Sequence, residues 1–261
     1  MKISIIGAGA MGGAMATGLL ASDGDYEITI SNPSEIPLRR LESLGAKVTH
    51  DNVGCIRDAE IIVLAVKPWI VGTVIDEIKP FIDYERQTLV VIAASVSSRE
   101  LVDMLSVNGA MPPIFLAMPN TAMSVSRSMT FLVAVSERCT PHITNTVKNI
   151  FDRLGSSMLI DEAHLPAATA LASCGIAFAM RYVRAAVEGG VELGFKARQA
   201  QEIVVKTLEG TCALLNVQGA HPESEIDKVT TPGGITIKGL NEMEEAGFSA
   251  AVIRGLRATV F

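Results

Sequence analysis

The sequence predicts an α/β domain on a doubly wound, mostly parallel sheet, followed by an all-α domain. Three observations carry this. Strand-like and helix-like segments alternate through the first 160 residues. The first strand runs into Gly7-Ala8-Gly9-Ala10-Met11-Gly12, a GxGxxG turn that opens a helix. Beyond Asp161 no segment has strand character. Residues 1–160 and 161–261 are therefore expected to be two domains.

Taken in order, residues 2–6 are an apolar run stopped by glycines, a buried strand. Residues 11–21 have helical spacing, 27–31 read as a second strand, and 34–44 as a helix ended by Gly45. Residues 47–49 form a short strand. The branched apolar run 61–66 suits a strand covered on both faces. A helix over 69–78 and a strand over 89–93 follow, then a helix over 97–105 capped by Ser97 or Ser98. Residues 115–118, 130–135 and 157–160 read as later strands, with 141–154 a helix between the last two. The second domain reads as helices over 164–189, 197–217, 222–229, 234–246 and 248–259.

Composition narrows the function. Charged residues are 19 % of the 261-residue chain, against roughly 25 % in an average soluble protein. Apolar residues reach 49 %, and the formal net charge is −6. This excludes disorder and argues against nucleic-acid binding, which shows a basic excess. The apolar surplus points to burial at a subunit interface. Four scattered cysteines and four histidines show no CxxC or HExxH spacing, so no metal site and reduced thiols in the cytoplasm are expected. No signal-peptide pattern is present, and the uncharged run 165–180, at 16 residues, is short for a bilayer, so no membrane association is expected.

Each glycine of the first turn has a physical task. Gly7 permits the tight turn, Gly9 lets backbone approach a pyrophosphate, and Gly12 allows close helix–strand packing. Ala10 and Met11 begin the helix whose free N–H groups receive the phosphates. An acid at the end of the second strand would grip a ribose 2′-hydroxyl and repel a 2′-phosphate. Here the strand ends Ile30-Ser31-Asn32-Pro33-Ser34, with Arg39 downstream. Ser31, Asn32 and Ser34 are candidate phosphate donors, so NADPH is favoured, with NADH possible. The same residues also suit an ordinary turn feeding a helix cap.

Three further motifs follow: Val66-Lys67-Pro68, Ala117-Met118-Pro119-Asn120-Thr121, and Thr230-Thr231-Pro232-Gly233-Gly234-Ile235-Thr236. With the glycine turn, and in this order over essentially the whole chain, the set resembles the pyrroline-5-carboxylate reductase family. The resemblance implies a Rossmann domain that binds the nicotinamide cofactor and a helical domain that interlocks with a partner's. The implied assembly is a homodimer, open to a higher oligomer, with a small imino acid as substrate. It implies NAD(P)H-dependent hydride transfer to a C=N carbon, giving L-proline. Carried over, Val66, Lys67, Pro68, Met118, Pro119 and Asn120 line the cofactor. Thr231, Gly233, Gly234 and Thr236 form the substrate loop. Thr236 is the candidate catalytic residue: its hydroxyl would orient and polarise the imine nitrogen, while the proton arrives with the iminium or through solvent.

One stretch departs from the family. Where a Ser-Gly-Ser-Gly-Pro run is usual, this chain has Ala172-Ser173-Cys174-Gly175-Ile176. Ser173 keeps one hydroxyl for the substrate pocket, and Cys174 reads as a packing residue. Two other functions remain open at this level. A β-hydroxyacid dehydrogenase would need a catalytic lysine after the domain junction, and residues 164–189 contain none. A non-catalytic NADP(H)-binding regulator would leave the Thr-Thr-Pro-Gly-Gly loop without a purpose.

Overall fold

Eight strands share one sheet: β1 (Lys2–Ile6), β2 (Glu27–Ser31), β3 (Lys47–Thr49), β4 (Ile61–Leu64), β5 (Thr88–Val91), β6 (Ile114–Met118), β7 (Ser128–Ala134) and β8 (Gly155–Leu159). Their spatial order in this computed structural model is β3-β2-β1-β4-β5-β6-β7-β8. The structure describes residues 1–93 and 96–260, so Phe261, the end of the expected second domain, lies outside it. Only β7 runs against its neighbour β6; every other pairing is parallel. The cause is loop length. Residues 119–127, with a 3-10 turn over Thr121–Val125, are too few for the crossover a parallel return needs.

Alternate side chains of the inner strands enter opposite cores. Ile3, Ile5, Ile61, Val63 and Val90 pack on one face, where they meet α1 (Ala10–Leu20), α2 (Glu35–Glu42) and, further on, α6 (Pro141–Asp152). Ile6, Ile62, Leu64, Leu89 and Val91 pack on the other against α3 (Asn52–Ile56), α4 (Val71–Ile78) and α5 (Ser98–Leu105). That two-sided cover is why these strands read as unbroken apolar runs. Ser97 is the N-cap of α5: its Oγ accepts from Glu100 N–H, and the Glu100 carboxylate accepts from Ser97 N–H at 2.8 Å. This reciprocal box ties down two N–H groups that the helix leaves unpaired.

Two local expectations are corrected. The five-residue α3 was not anticipated; Asp51 nucleates it, its carboxylate accepting from Val53 N–H at 3.0 Å. The size of Trp69 suggests packing against the sheet or a cofactor edge; it does not pack on the sheet but is 78 % exposed, carried outward by a separate 3-10 turn, Pro68–Ile70, before α4.

The chain divides into two compact units, Met1–Thr169 and the segment from Ala170 onward. The helices after the sheet are α7 (Leu165–Ala168), α8 (Gly175–Glu192), α9 (Ala197–Leu215), α10 (Pro222–Lys228), α11 (Ile235–Glu245) and α12 (Phe248–Arg257). Between α7 and α8 the backbone widens into a π-helical stretch, Thr169–Cys174. A 3-10 turn at Glu162–His164 precedes them, so the helical path Glu162–Glu192 spans 31 residues. By length and composition that path is apolar enough to cross a bilayer, a correction to the 16-residue reading.

The second unit has almost no interior of its own. Among the described residues from Ala170 onward, only Ala170 and Ala200 are buried. Met180 is 66 % exposed and Ile235 88 % exposed, and Leu171, Leu193, Ile203, Leu214 and Ile253 also face outward. An exposed apolar surface of this extent marks a place of association.

Candidate functional site

β1 delivers Gly7 at its C-terminal end, and β4 delivers Ala65 and Val66 at its own. These strands are neighbours, yet the chain winds away from them in opposite directions, to β2–β3 and to β5–β6. A crevice opens where the strand order reverses. It holds a cavity of about 430 Å³ lined by Gly7, Gly9, Ala10, Met11, Ser31, Asn32, Val66 and Lys67. Eight residues singled out in the sequence thus surround one space. Pro33, His50, Asn52, Ile70, Val74 and Ile92 also line it.

The glycines are explained by their surroundings. Gly7 has φ of +106°, and a Cβ there would lie 2.5 Å from the Ala65 carbonyl oxygen. A Cβ on Gly12 would lie 1.9 Å from the Gly7 carbonyl oxygen and 3.0 Å from Ala65 Cβ. Gly12 therefore lets α1 rest on the turn. A Cβ on Gly9 would meet nothing within 4 Å. Gly9 is the N-cap of α1 and supplies no side-chain acceptor to the helix start. An open space before uncapped N–H groups is what a diphosphate requires, so the residues present fit a dinucleotide.

Ser31 is fully buried, and its Oγ donates to Asn52 Oδ1 at 2.7 Å. Asn52 Nδ2 in turn donates to Glu77 on α4 at 2.8 Å. Asn32 Oδ1 accepts from Ala8 N–H at 3.1 Å, while its Nδ2 donates to the Ser34 carbonyl at 3.0 Å. The hydroxyl hydrogen of Ser31 is thus taken by Asn52 beside α3, while Asn32 braces the glycine turn through Oδ1 and keeps a second Nδ2 hydrogen at the cavity wall. Ser34, the N-cap of α2, is exposed and makes no side-chain cap bond.

Two charged residues at this corner escaped the sequence analysis. His50 Nδ1 lies 2.8 Å from the Asn32 carbonyl oxygen, and Nε2 lies 2.9 Å from Glu35 Oε2. Arg39 Nε donates to Glu35 Oε1 at 3.1 Å. The Arg39 guanidinium, then the His50 ring, hold the Glu35 carboxyl below its ordinary range. The Asn32 carbonyl, then Glu35, push the His50 imidazole above its ordinary value. No motif marks this cluster, because Glu35 and Arg39 lie on α2 whereas His50 follows β3.

The remaining candidates fall elsewhere. Lys67 is exposed at the head of the Pro68–Ile70 turn. Met118 ends β6, and Pro119 and Asn120 are buried beyond it. Asn120 Oδ1 accepts from Ala122 N–H at 3.1 Å, and its main-chain N–H donates to Ser128 Oγ at 3.1 Å. Asn120 therefore shapes the turn from β6 to β7. Gly12, Ser34, Pro68, Met118, Pro119 and Asn120 do not line the cavity.

In the second unit, Thr231, Gly233, Gly234 and Thr236 share the entry to α11. Gly234 is its N-cap, without a side-chain acceptor, and its N–H donates to the Thr231 carbonyl at 2.9 Å. Gly233 has φ of +72°, and Thr236 is exposed in the first turn. Ser173 lies in the π-helical stretch that ends at Cys174. Isoleucine at 176 falls in the first turn of α8.

Residues 162–260 match the family model described as pyrroline-5-carboxylate reductase dimerisation. Residues 2–96 match a model described as NADP oxidoreductase coenzyme F420-dependent. Pyrroline-5-carboxylate reductase 2 of Dictyostelium discoideum is 34 % identical, over 98 % of this chain and 89 % of its own length. Pyrroline-5-carboxylate reductase 1 of the same organism is 36 % identical over 97 % of this chain, which spans about half (48 %) of that longer protein. The crystal structure of Plasmodium falciparum pyrroline carboxylate reductase with NADP bound superposes with a TM-score of 0.85. It is 25 % identical and covers 99 % of this chain and 95 % of its own.

Proposed function

Because the chain belongs to the pyrroline-5-carboxylate reductase family and is an oxidoreductase that uses NAD(P)H, we propose that it reduces 1-pyrroline-5-carboxylate to L-proline and prefers NADPH. The observation that supports this best is the uncapped start of α1, open onto the cavity at the strand-order reversal. When bound, the cofactor supplies a hydride to the C=N carbon. The chain's own residues bind and orient. The N–H groups at Ala10 and Met11 receive the diphosphate. Val66 and Lys67 border the same cavity; Pro68 follows them, and Met118, Pro119 and Asn120 stand at the end of β6, where the family resemblance assigns them to the cofactor.

The substrate is a small anion. Gly233 offers a backbone N–H ahead of the helix start, Gly234, whose own N–H is held by the Thr231 carbonyl, keeps the loop tight without a side chain, and the hydroxyls of Thr231 and Thr236 add neutral donors. No arginine is needed for one carboxylate. Ser173 contributes a further hydroxyl. Thr236 orients the imine nitrogen; its hydroxyl is too weak an acid to give up a proton. Most of the rate then comes from holding two carbons at near-attack distance in a pocket closed to water. Thr236→Val should lower kcat by about tenfold to hundredfold with cofactor affinity unchanged, as expected when one positioned donor is lost. Steady-state kinetics beside a cofactor titration checks this, and full turnover excludes a direct role.

The homo-oligomer is a dimer formed through the second unit, which has too little interior to stand alone. Arg181, Arg184, Glu188 and Glu192 interrupt the apolar surface of α8, which suits a protein partner better than lipid. The four free cysteines suit a reducing cytoplasm. The deciding assay follows NADPH oxidation with pyrroline-5-carboxylate as substrate. Proline formation is expected. Cofactor binding without oxidation would favour a regulator instead.

A further inference from the structure

The sequence shows no acid within residues 30–34 at the end of β2, yet the fold brings Glu35 to that corner. An unpaired carboxylate there would repel a 2′-phosphate, since the ribose of a bound dinucleotide lies at this strand end. His50, which lines the same cavity, changes that balance. Its Nδ1 faces the Asn32 carbonyl and its Nε2 faces the Glu35 carboxylate. Both partners only accept, so both ring nitrogens must carry protons in this arrangement. With Arg39 on the other Glu35 oxygen, one anion sits between two cations, leaving one net positive charge. A neutral His50 would erase that surplus.

We propose that His50 is the specificity-determining residue for the phosphorylated cofactor, acting only while its ring is doubly protonated. The inference rests on the reading of this cavity as a nicotinamide-dinucleotide site. Discrimination between ribose 2′-phosphate and 2′-hydroxyl is then a property of the charged Glu35–His50–Arg39 cluster, not of Ser31, whose hydroxyl hydrogen is taken by Asn52, or of the neutral amide of Asn32. The other charged groups around this corner are Asp51, which caps α3, Glu77, which holds Asn52, Lys67, which lines the cavity, and the Lys47–Glu27 pair on β3 and β2.

The sign follows from the raised pKa of His50. The positive surplus is present below that value and is lost as the pH rises through it. A 2′-phosphate completes its second ionisation near pH 6, so above about pH 7 its own charge is nearly constant. Changes between about pH 7 and about pH 9 therefore report the protein.

The test uses cofactor fragments, so it does not depend on turnover. Adenosine 2′,5′-bisphosphate and adenosine 5′-monophosphate are titrated calorimetrically into the full chain across that range. The affinity ratio should fall about fivefold in the natural chain, the size of one screened charge beside a dianion. His50→Gln should begin at the lower ratio and stay flat. Glu35→Gln combined with His50→Gln leaves Arg39 unpaired, so it should restore the higher ratio with a flat profile. A His50→Gln ratio equal to that of the natural chain at every pH, or a double variant that fails to recover, overturns the role of His50. If neither fragment binds, the dinucleotide reading of the cavity falls as well.

Discussion

Gly9→Ala is expected to fold with the stability of the natural chain and to lose cofactor affinity by roughly a hundredfold, whereas Gly12→Ala loses both. A methyl on Gly9 meets no protein atom, and its φ of −71° suits alanine. The methyl instead projects where a diphosphate must approach the helix start. Its cost falls on the ligand alone. A methyl on Gly12 collides with the Gly7 carbonyl oxygen, which is backbone and cannot swing aside. The turn and α1 must separate, at about 1–3 kcal/mol or more of overpacking. That movement also misdirects the N–H groups at Ala10 and Met11. Thermal unfolding with and without NADPH separates the two effects. Ligand-induced stabilisation should vanish in both variants, and the melting temperature of the unliganded protein should fall only in Gly12→Ala. Retention of NADPH stabilisation by Gly9→Ala would exclude backbone contact with the diphosphate at this turn.

Met180→Asp is expected to dissociate the oligomer and abolish activity at assay dilution while leaving the sheet unit folded. Met180 is two-thirds exposed on α8, in a unit with almost no buried side chains of its own. Covering a methionine is worth about 1.5–3 kcal/mol, and symmetry counts it twice. Burying a carboxylate in its place adds a desolvation penalty. The dissociation constant should rise by at least roughly a hundredfold, since each 1.4 kcal/mol is tenfold. Sedimentation velocity over a dilution series reads this directly. An unchanged sedimentation coefficient would place Met180 outside the interface.

The sheet unit was legible because its signals are local. Apolar runs covered on both faces, turns marked by glycine and Ser97 before α5 each lie within a few residues of what they specify. The five-residue α3 was not, since a helix this short has no period to read. Trp69 misled because size suggests burial, whereas the Pro68–Ile70 turn carries it outward. In the glycine turn, the tight turn at Gly7 and the close packing at Gly12 were legible. The charge cluster was not, because Glu35 and His50 are 15 residues apart and meet only when β2 and β3 pair. Ser31 and Asn32 do lie at the cavity, but their bonds to the rest of the fold were not legible. Which way a hydroxyl or amide turns is settled by Asn52 and Ala8, which the motif does not contain.

The near-absence of an interior in the second unit bears on how the protein survives in a cell. A chain whose second unit finishes its core only against another copy has its folding equilibrium tied to its own abundance. Dilution then acts on that unit as urea acts on an ordinary domain. Newly made chains are most exposed while they are scarce, because mass action protects them only once a second copy is at hand.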